Sequence, residues 1–408
     1  MTASESVSAS VLESITLRRY QWPQLNDRQP IPAFYRPLIF LLTVIPFFFR
    51  NRRWVAICVF ILILDLCLRS PGYTFGNPSA DYYNGSFFIA APLWFLEFAI
   101  LSPHEGPDAP TYVGNASCSG TGSRESLDVM RPTWRKVLRV CSLMVPSHRG
   151  IGWNWQVKGV PDDPYICLPK WAFVRTHICK ASIAYAQSLG MLVLLAWGST
   201  AEARLSSGAY LHRLIINMLI GWFGAIWVLG RLNGFYSSIA AVSVAVGVCE
   251  TWQWPPLMGN LRDAWSIISQ PAVRIARLLG LRKGSLGSAL TQLFISFAIT
   301  CLIHKFQMFM VTRRDMGELS FFMSQPAAIA VESLVQWGFS RIRSRTAGPD
   351  NNQPALSMYA GYIWVVFWFS VSLPVYVKGC RDAGIIRDEL FGSRPFDAGV
   401  RLADWTSY

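Results

Sequence analysis

Apolar residues arrive along this chain in long blocks, with few charges inside them and polar stretches between them. The blocks run over about 36–49, 54–68, 86–102, 181–198, 213–230, 235–250, 288–310, 319–339 and 358–377. A membrane-crossing helix needs about 20 predominantly apolar residues. The pattern therefore predicts an all-α, polytopic integral membrane protein with about eight transmembrane helices, in a range of seven to nine. The first two blocks are short and separated by Arg50 to Arg53, so they form a tight hairpin or lie partly in the interface.

The polar stretches divide the chain. Residues 1–30 are a Ser-rich polar tail, and 31–102 hold the first membrane helices. Residues 103–180 are the one long hydrophilic insertion, where Lys and Arg outnumber Asp and Glu. Basic loops stay on the cytoplasmic side, so the insertion is expected in the cytosol. Residues 181–380 form the main membrane core, and 381–408 a mixed C-terminal tail. Neither internal repeats nor the inverted symmetry of transporters is visible, and paired ionisable residues on several spans are lacking, which sets a transporter behind the readings below.

One block differs from the rest. Gln292 to Gln307 reads QLFISFAITCLIHKFQ, an apolar helix ending in His304. Counting back in fours from His304 gives Thr300, Ser296 and Gln292, a gently spiralling polar row on one side. An ionisable group at membrane depth is costly and points to function. A neutral His there can act as general base, taking a proton from an alcohol that attacks a thioester. The row can orient the imidazole or a water. The alternative, a His hydrogen-bonded across helices as part of the packing, stands equally on these residues alone. Other embedded charges read more simply: Asp65 has Arg69 one turn away, and Glu97 is expected to pack.

Composition adds to this picture. Of 408 residues, 52% are hydrophobic and 15% charged, with 17 Trp and 25 Phe, well below the roughly 25% charge of soluble domains. The net charge of +13 sits in loops beside spans, where lipid headgroups account for it. No basic stretch is interleaved with stacking aromatics, so nucleic acid is not an expected partner. The nine Cys lack a CxxC pair and imply no disulfide framework. A Walker loop, HExxH, a GxSxG elbow and paired metal carboxylates are absent, so no metal is expected. The N-terminus lacks the layout of a cleaved signal peptide, which leaves insertion by an internal span, into the endoplasmic reticulum, as the expectation for this multi-pass protein.

Two loop stretches carry further candidates. Arg149-Gly150-Ile151-Gly152-Trp153-Asn154-Trp155 places two glycines between basic and aromatic residues. Such a turn can approach a phosphate, with Arg149 supplying charge, or can anchor aromatic rings at the interface; the residues alone support both. Downstream lies Trp254-Pro255-Pro256-Leu257-Met258-Gly259-Asn260, then Asp263-Ala264-Trp265-Ser266.

These segments resemble, in order, the fungal members of the wax-synthase-like branch of membrane-bound O-acyltransferases. The first resembles that group's Arg-Gly-x-Gly-Trp-x-Trp signature, and the second its Trp-Pro-Pro-Leu-Phe-Gly…Ala-Tyr-Ser stretch. Leu279 to Ser285, Gln292-Leu293-Phe294, the His304 helix and Phe321-Phe322…Gln325…Glu332 follow in the family's order. The resemblance runs from roughly 145 to 380 and implies that 181–380 is an acyltransferase core. It implies transfer of acetyl from acetyl-CoA, a co-substrate rather than a permanently bound cofactor, to a hydroxyl of a hydrophobic terpenoid or meroterpenoid. His304 matches the family's invariant His, with Thr300 beside it. Arg149, Gly150, Gly152 and Trp153 are the candidates for positioning the CoA end, and Ser296, Gln292, Asn260 and Asp263 those for the substrate. The chain departs from the pattern after Ser266, where the family's Phe-Trp-Gly-Arg-x-Trp-His block is missing. A catalytically impaired membrane scaffold is the alternative that goes with this departure, and long-chain wax-ester synthesis is the alternative for the acyl group.

Overall fold

The computed structural model describes residues 22–49, 52–103, 109–114, 125–127, 129–144, 150–156, 160, 168–205, 208–257, 279–282, 285–346, 354–387 and 394–405. Helices dominate. They are α1 (Tyr35–Val44), α2 (Arg52–Arg69), α3 (Pro78–Phe95), α4 (Trp134–Met144), α5 (Lys170–Arg204), α6 (Tyr210–Ala245), α7 (Leu286–Thr312), α8 (Glu318–Thr346), α9 (Pro354–Asp382) and α10 (Arg394–Trp405). Four two-residue strands form one parallel pair, β1 (Gln29–Pro30) with β2 (Tyr73–Thr74), and one antiparallel pair, β3 (Thr111–Tyr112) with β4 (Glu125–Ser126).

Among the described residues six helices are long and apolar enough to cross a membrane: Arg52–Gly72, Pro78–Leu101, Lys170–Arg204, Tyr210–Ala245, Leu286–Thr312 and Tyr359–Asp382. The nine apolar blocks yield six such helices for three physical reasons. The block at 36–49 is a short helix that tightens at Pro46 into a 3-10 turn over Ile45–Phe48. The blocks at 213–230 and 235–250 are one helix, α6, which runs unbroken through Arg231-Leu232-Asn233-Gly234. The block at 319–339 is helical too, but Glu318, Gln325 and Glu332 dilute its hydropathy.

The chain divides into two compact units. The larger takes in Asn115–Gly122, Gln156–Leu302 and Asp315–Tyr408. Its centre is the antiparallel hairpin of α5 and α6, which pack through small residues. A Cβ on Gly230 would lie 2.9 Å from the Ala184 carbonyl oxygen, and one on Gly198 would lie 3.1 Å from Ile220. This contact, with Arg231 over the Tyr185 ring at 5.5 Å, explains why the polar Arg-Leu-Asn-Gly run does not break α6. α9 lies against α6 in the same manner, with Val377 over Gly224. Lys378 and Arg381 of α9 reach Glu202 at the end of α5, at 2.6 and 3.8 Å. The amphipathic α10 rests on α5 where Gly399 meets the Val193 carbonyl, and Asp404 pairs with Arg204. Between α8 and α9 a buried polar set is closed on itself: Gln325 donates to the Phe321 carbonyl and Ser372 Oγ at 3.1 and 3.3 Å, and accepts from Trp368 Nε1 at 2.9 Å.

The smaller unit takes in Met1–Gly114, Ser123–Trp155 and Ile303–Arg314. It contains α1 to α4, the strands and the last turns of α7. α3 begins at Pro78, earlier than the apolar block at 86 suggested. Asn77 caps it by accepting from the Ala80 N–H at 2.8 Å, and Pro78 takes the first helical position, where its missing N–H costs nothing. After the internal Pro92 the helix widens into a π-helical stretch, Leu96–Leu101, that carries the buried Glu97. Asp65 pairs with Arg69 at 2.9 Å across one turn of α2, as the spacing predicts.

Candidate functional site

The last turns of α7 lie along the first turns of α3, and the two run parallel. Gly85 makes the approach close: a Cβ there would meet Gln307 Cα at 3.1 Å and Met310 Cγ at 3.2 Å. One turn earlier on both helices, the Tyr82 hydroxyl lies 2.8 Å from His304 Nδ1. Tyr82 is buried and His304 half-buried. A phenol can donate or accept. When it accepts from Nδ1–H, the imidazole lone pair is on Nε2, the arrangement a general base requires.

Asp81 precedes Tyr82 and is 1% exposed at its side chain. It pairs with Arg28 at 3.0 Å and also accepts from the Thr74 hydroxyl and the Phe75 N–H. Arg28 donates onward to the carbonyls of Leu25, Tyr73 and Met310. Arg313 donates to the Phe309 carbonyl at 2.9 Å and to the Pro71 carbonyl. The end of α7 leaves carbonyls without intrahelical donors, and cations there also suit the helix dipole. Two guanidinium groups thus cap the helix just beyond His304. Arg313 has φ of 58°, one residue past the helix. Burial pushes its pKa down to about 10, with Arg28 adding and Asp81 opposing, so it stays charged at neutral pH. Together Asp81 and its two cations fix the start of α3 and the end of α7, and hence the Tyr82–His304 pair.

The polar row upstream in α7 behaves differently. Gln292 Nε2 donates to Ser288 Oγ at 2.9 Å, Ser296 Oγ to the Gln292 carbonyl at 2.8 Å, and Thr300 Oγ1 to the Ser296 carbonyl at 3.0 Å. These hydroxyl protons are engaged within their own helix; the oxygens remain as acceptors. Gln292, Ser296 and Thr300 belong to the larger unit and His304 to the smaller.

The glycine turn is a packed knot. Gly150 and Gly152 are buried with φ of 59° and 79°, and Trp155 fills the space where a Gly150 side chain would stand. The Gly152 carbonyl accepts from the N–H groups of Val113 and Gly114 at 2.7 and 3.1 Å. Trp153 is 3% exposed, stacks edge-on against Tyr112, and donates to Ser142 Oγ at 3.3 Å. Arg149, Asn260 and Asp263 lie outside the described residues, as does the segment after Ser266 where the family block is missing.

Sequence reasoning missed Tyr82, Asp81 and Arg28. The Asn77-Pro78 start signal was the available clue to Tyr82, since it turns Asp81-Tyr82-Tyr83 from loop into helix. Among the described residues no cluster of three or more His, Cys, Asp or Glu could hold a metal ion.

No family model matches the chain, and no solved structure matches it. Curated proteins do. Acetyltransferase spyB of Aspergillus fumigatus is 25% identical over 300 residues, 63% of this chain and 49% of that protein. O-Mevalon transferase macI of Penicillium terrestre is 27% identical over 265 residues, 57% and 59% of the two chains. The chain thus spans about half the length of these two. Acetyltransferase sirH of Leptosphaeria maculans is 23% identical over 394 residues, 89% of this chain and 93% of the relative. The chain is similar, at low identity, to fungal acetyltransferases.

Proposed function

We propose that the protein is a membrane-embedded O-acyltransferase of the wax-synthase-like branch, moving acetyl from acetyl-CoA to a hydroxyl of a terpenoid or meroterpenoid secondary metabolite. The observation that carries this is the His304–Tyr82 pair, an imidazole held by a phenol at 2.8 Å on a helix apolar enough to cross a membrane. The names of the relatives supply the transferred group. His304 Nε2 takes the proton from the acceptor hydroxyl as its oxygen attacks the thioester carbonyl carbon. The C–S bond then breaks, and the CoA thiolate leaves with the proton that the imidazolium returns. No covalent enzyme intermediate is needed. Tyr82 keeps the ring oriented and accepts from Nδ1–H while the imidazolium lasts.

A wider acyl range is a second reading, favoured by the macI relative, whose name gives a different transferred group. Membranes carrying the full chain, given deuterated acetyl-CoA and a panel of hydroxylated terpenoids, should yield an ester heavier by the label. Finding ester only with longer acyl-CoA donors would move the reading to the wax-ester alternative; finding none with any donor would leave the impaired-scaffold reading.

A further inference from the structure

In the smaller unit, α4 (Trp134–Met144) is apolar on two opposite faces. Val140, Leu143 and Met144 are buried within the unit. A helix at the edge of a water-soluble body carries polar side chains on its other face. Here that face is a strip of Trp134, Leu138 and Cys141, spaced four and three residues apart and so aligned on one side. Trp134 is 72% exposed, and Leu138 is exposed one turn on. Arginines border the strip. Arg131 stands exposed before the helix, and the exposed Arg135 flanks the strip within it. Glu125 pairs with both Arg135 and Arg139. One carboxylate thus faces two guanidinium groups, and the surface keeps a surplus of positive charge.

The place of the strip points to what covers it. α4 packs on α1, and Lys136 Nζ lies 5.6 Å from the centre of the Phe48 ring. Phe48 and Phe49 are exposed and lead into α2, whose first turn carries the exposed Arg53 and Trp54. α2 is one of the helices apolar enough to cross a membrane. Trp beside Arg at the end of such a helix suits the level of the lipid headgroups. α4 touches that corner, and its own mixture of Trp and Arg suits the same level. We propose that the outer face of α4, with the Arg53–Trp54 corner of α2, seats on anionic lipid headgroups at the bilayer surface. Trp134 and Leu138 enter the boundary between headgroups and acyl chains, and Arg53, Arg131 and Arg135 meet the headgroup anions. The cytosolic side expected for this basic insertion is the side whose leaflet carries anionic lipid. The proposal rests on the membrane-embedded part of the reading above and not on acetyl transfer.

The test places the photoreactive side chain p-benzoylphenylalanine at Leu138 of the full-length protein. The protein is reconstituted in vesicles of equal parts phosphatidylcholine and phosphatidylserine, irradiated, and what it captures is identified by mass spectrometry. The same probe at Leu62, exposed midway along α2, reports the bilayer core. Lipid should be captured at both positions. At Leu138 phosphatidylserine should exceed phosphatidylcholine by about fivefold or more, the factor that one cation near an anionic surface supplies. Arg53→Ser together with Arg131→Ser, which leaves the Glu125 pairs intact, should bring that ratio down toward one. The probe at Trp134 carries the same test if the protein altered at Leu138 folds poorly. Capture of a second protein chain, no capture, equal capture of the two lipids, or a ratio unchanged in the double variant overturns the assignment. If the probe at Leu62 captures no lipid, the membrane-embedded reading falls as well; lipid at Leu62 with any of those results at Leu138 overturns only the surface on α4.

Discussion

The Tyr82 hydroxyl meets His304 Nδ1 at 2.8 Å across 222 residues of chain, and it does so from the second turn of a helix whose start is set by an Asn cap and a proline. Removing the hydroxyl leaves the ring in place and takes away the hydrogen bond at His304 Nδ1. A hydrogen bond to a group that becomes charged is worth about 1.5–3 kcal/mol, which is roughly ten- to a hundredfold in rate. Tyr82→Phe should lower kcat by that factor with little change in KM for either substrate. Steady-state kinetics on purified protein checks it, and a thermal midpoint equal to wild type separates the effect from misfolding.

Arg28 and Asp81 are a buried pair whose value is in holding two helix ends. Removing one partner strands the other, which costs about 3–5 kcal/mol in buried pairs. Asp81→Ala should therefore lower the thermal midpoint sharply. Arg69→Ala, which breaks the more exposed Asp65–Arg69 pair, should cost less than about 1 kcal/mol. The comparison of the two midpoints in the same detergent is the measurement.

Gly85 is where α3 and α7 come closest. Alanine there needs a shift of a few tenths of an ångström from Gln307, whereas valine would force the helices apart at about 1–3 kcal/mol. Gly85→Val is expected to reduce both stability and ester formation, and Gly85→Ala to reduce them slightly. Ester formation and the thermal midpoint, followed for both variants, check this order.

In the larger unit, Glu318 at the start of α8 is fully buried and accepts from the Met316 N–H at 3.0 Å. Burial first, and then Asp315, push its carboxyl from 4.5 up to about 7. The folded chain therefore binds this proton more tightly than the unfolded one. The resulting stabilisation is full below the ordinary carboxylate value and is lost as pH rises through about 7. The thermal midpoint should fall as pH rises from 4.5 to about 7, the window from the unfolded to the folded pKa, and level off above it. Glu318→Gln, neutral throughout, should flatten that slope.

How far the chain could be read in advance depended on the range of each interaction. The Asp65–Arg69 pair and the all-helical class were legible, because both are written in local spacing. The start of α3 was misplaced because Asn77, Pro78, Asn84 and Gly85 resemble loop residues until Asn77 is recognised as a cap. The single helix α6 was split because its Arg-Leu-Asn-Gly run reads as polar, and only the packing of Gly230 on α5 shows why it continues. The partner of His304 was out of reach altogether. Tyr82 and Arg28 come to α7 from 222 and 282 residues away, and no periodicity reports contacts at that range. The polar row of Gln292, Ser296 and Thr300 was visible, but not that its hydroxyl protons bond to α7 itself.

The central claim is that His304 is the base for acyl transfer. Its most direct measurement is the rate of labelled ester formation by His304→Ala beside wild type, in purified protein of equal thermal midpoint and with one accepted alcohol. A positioned general base contributes about 10²–10⁴-fold, so the variant should lose activity by that factor. Equal rates in the two proteins would contradict the account.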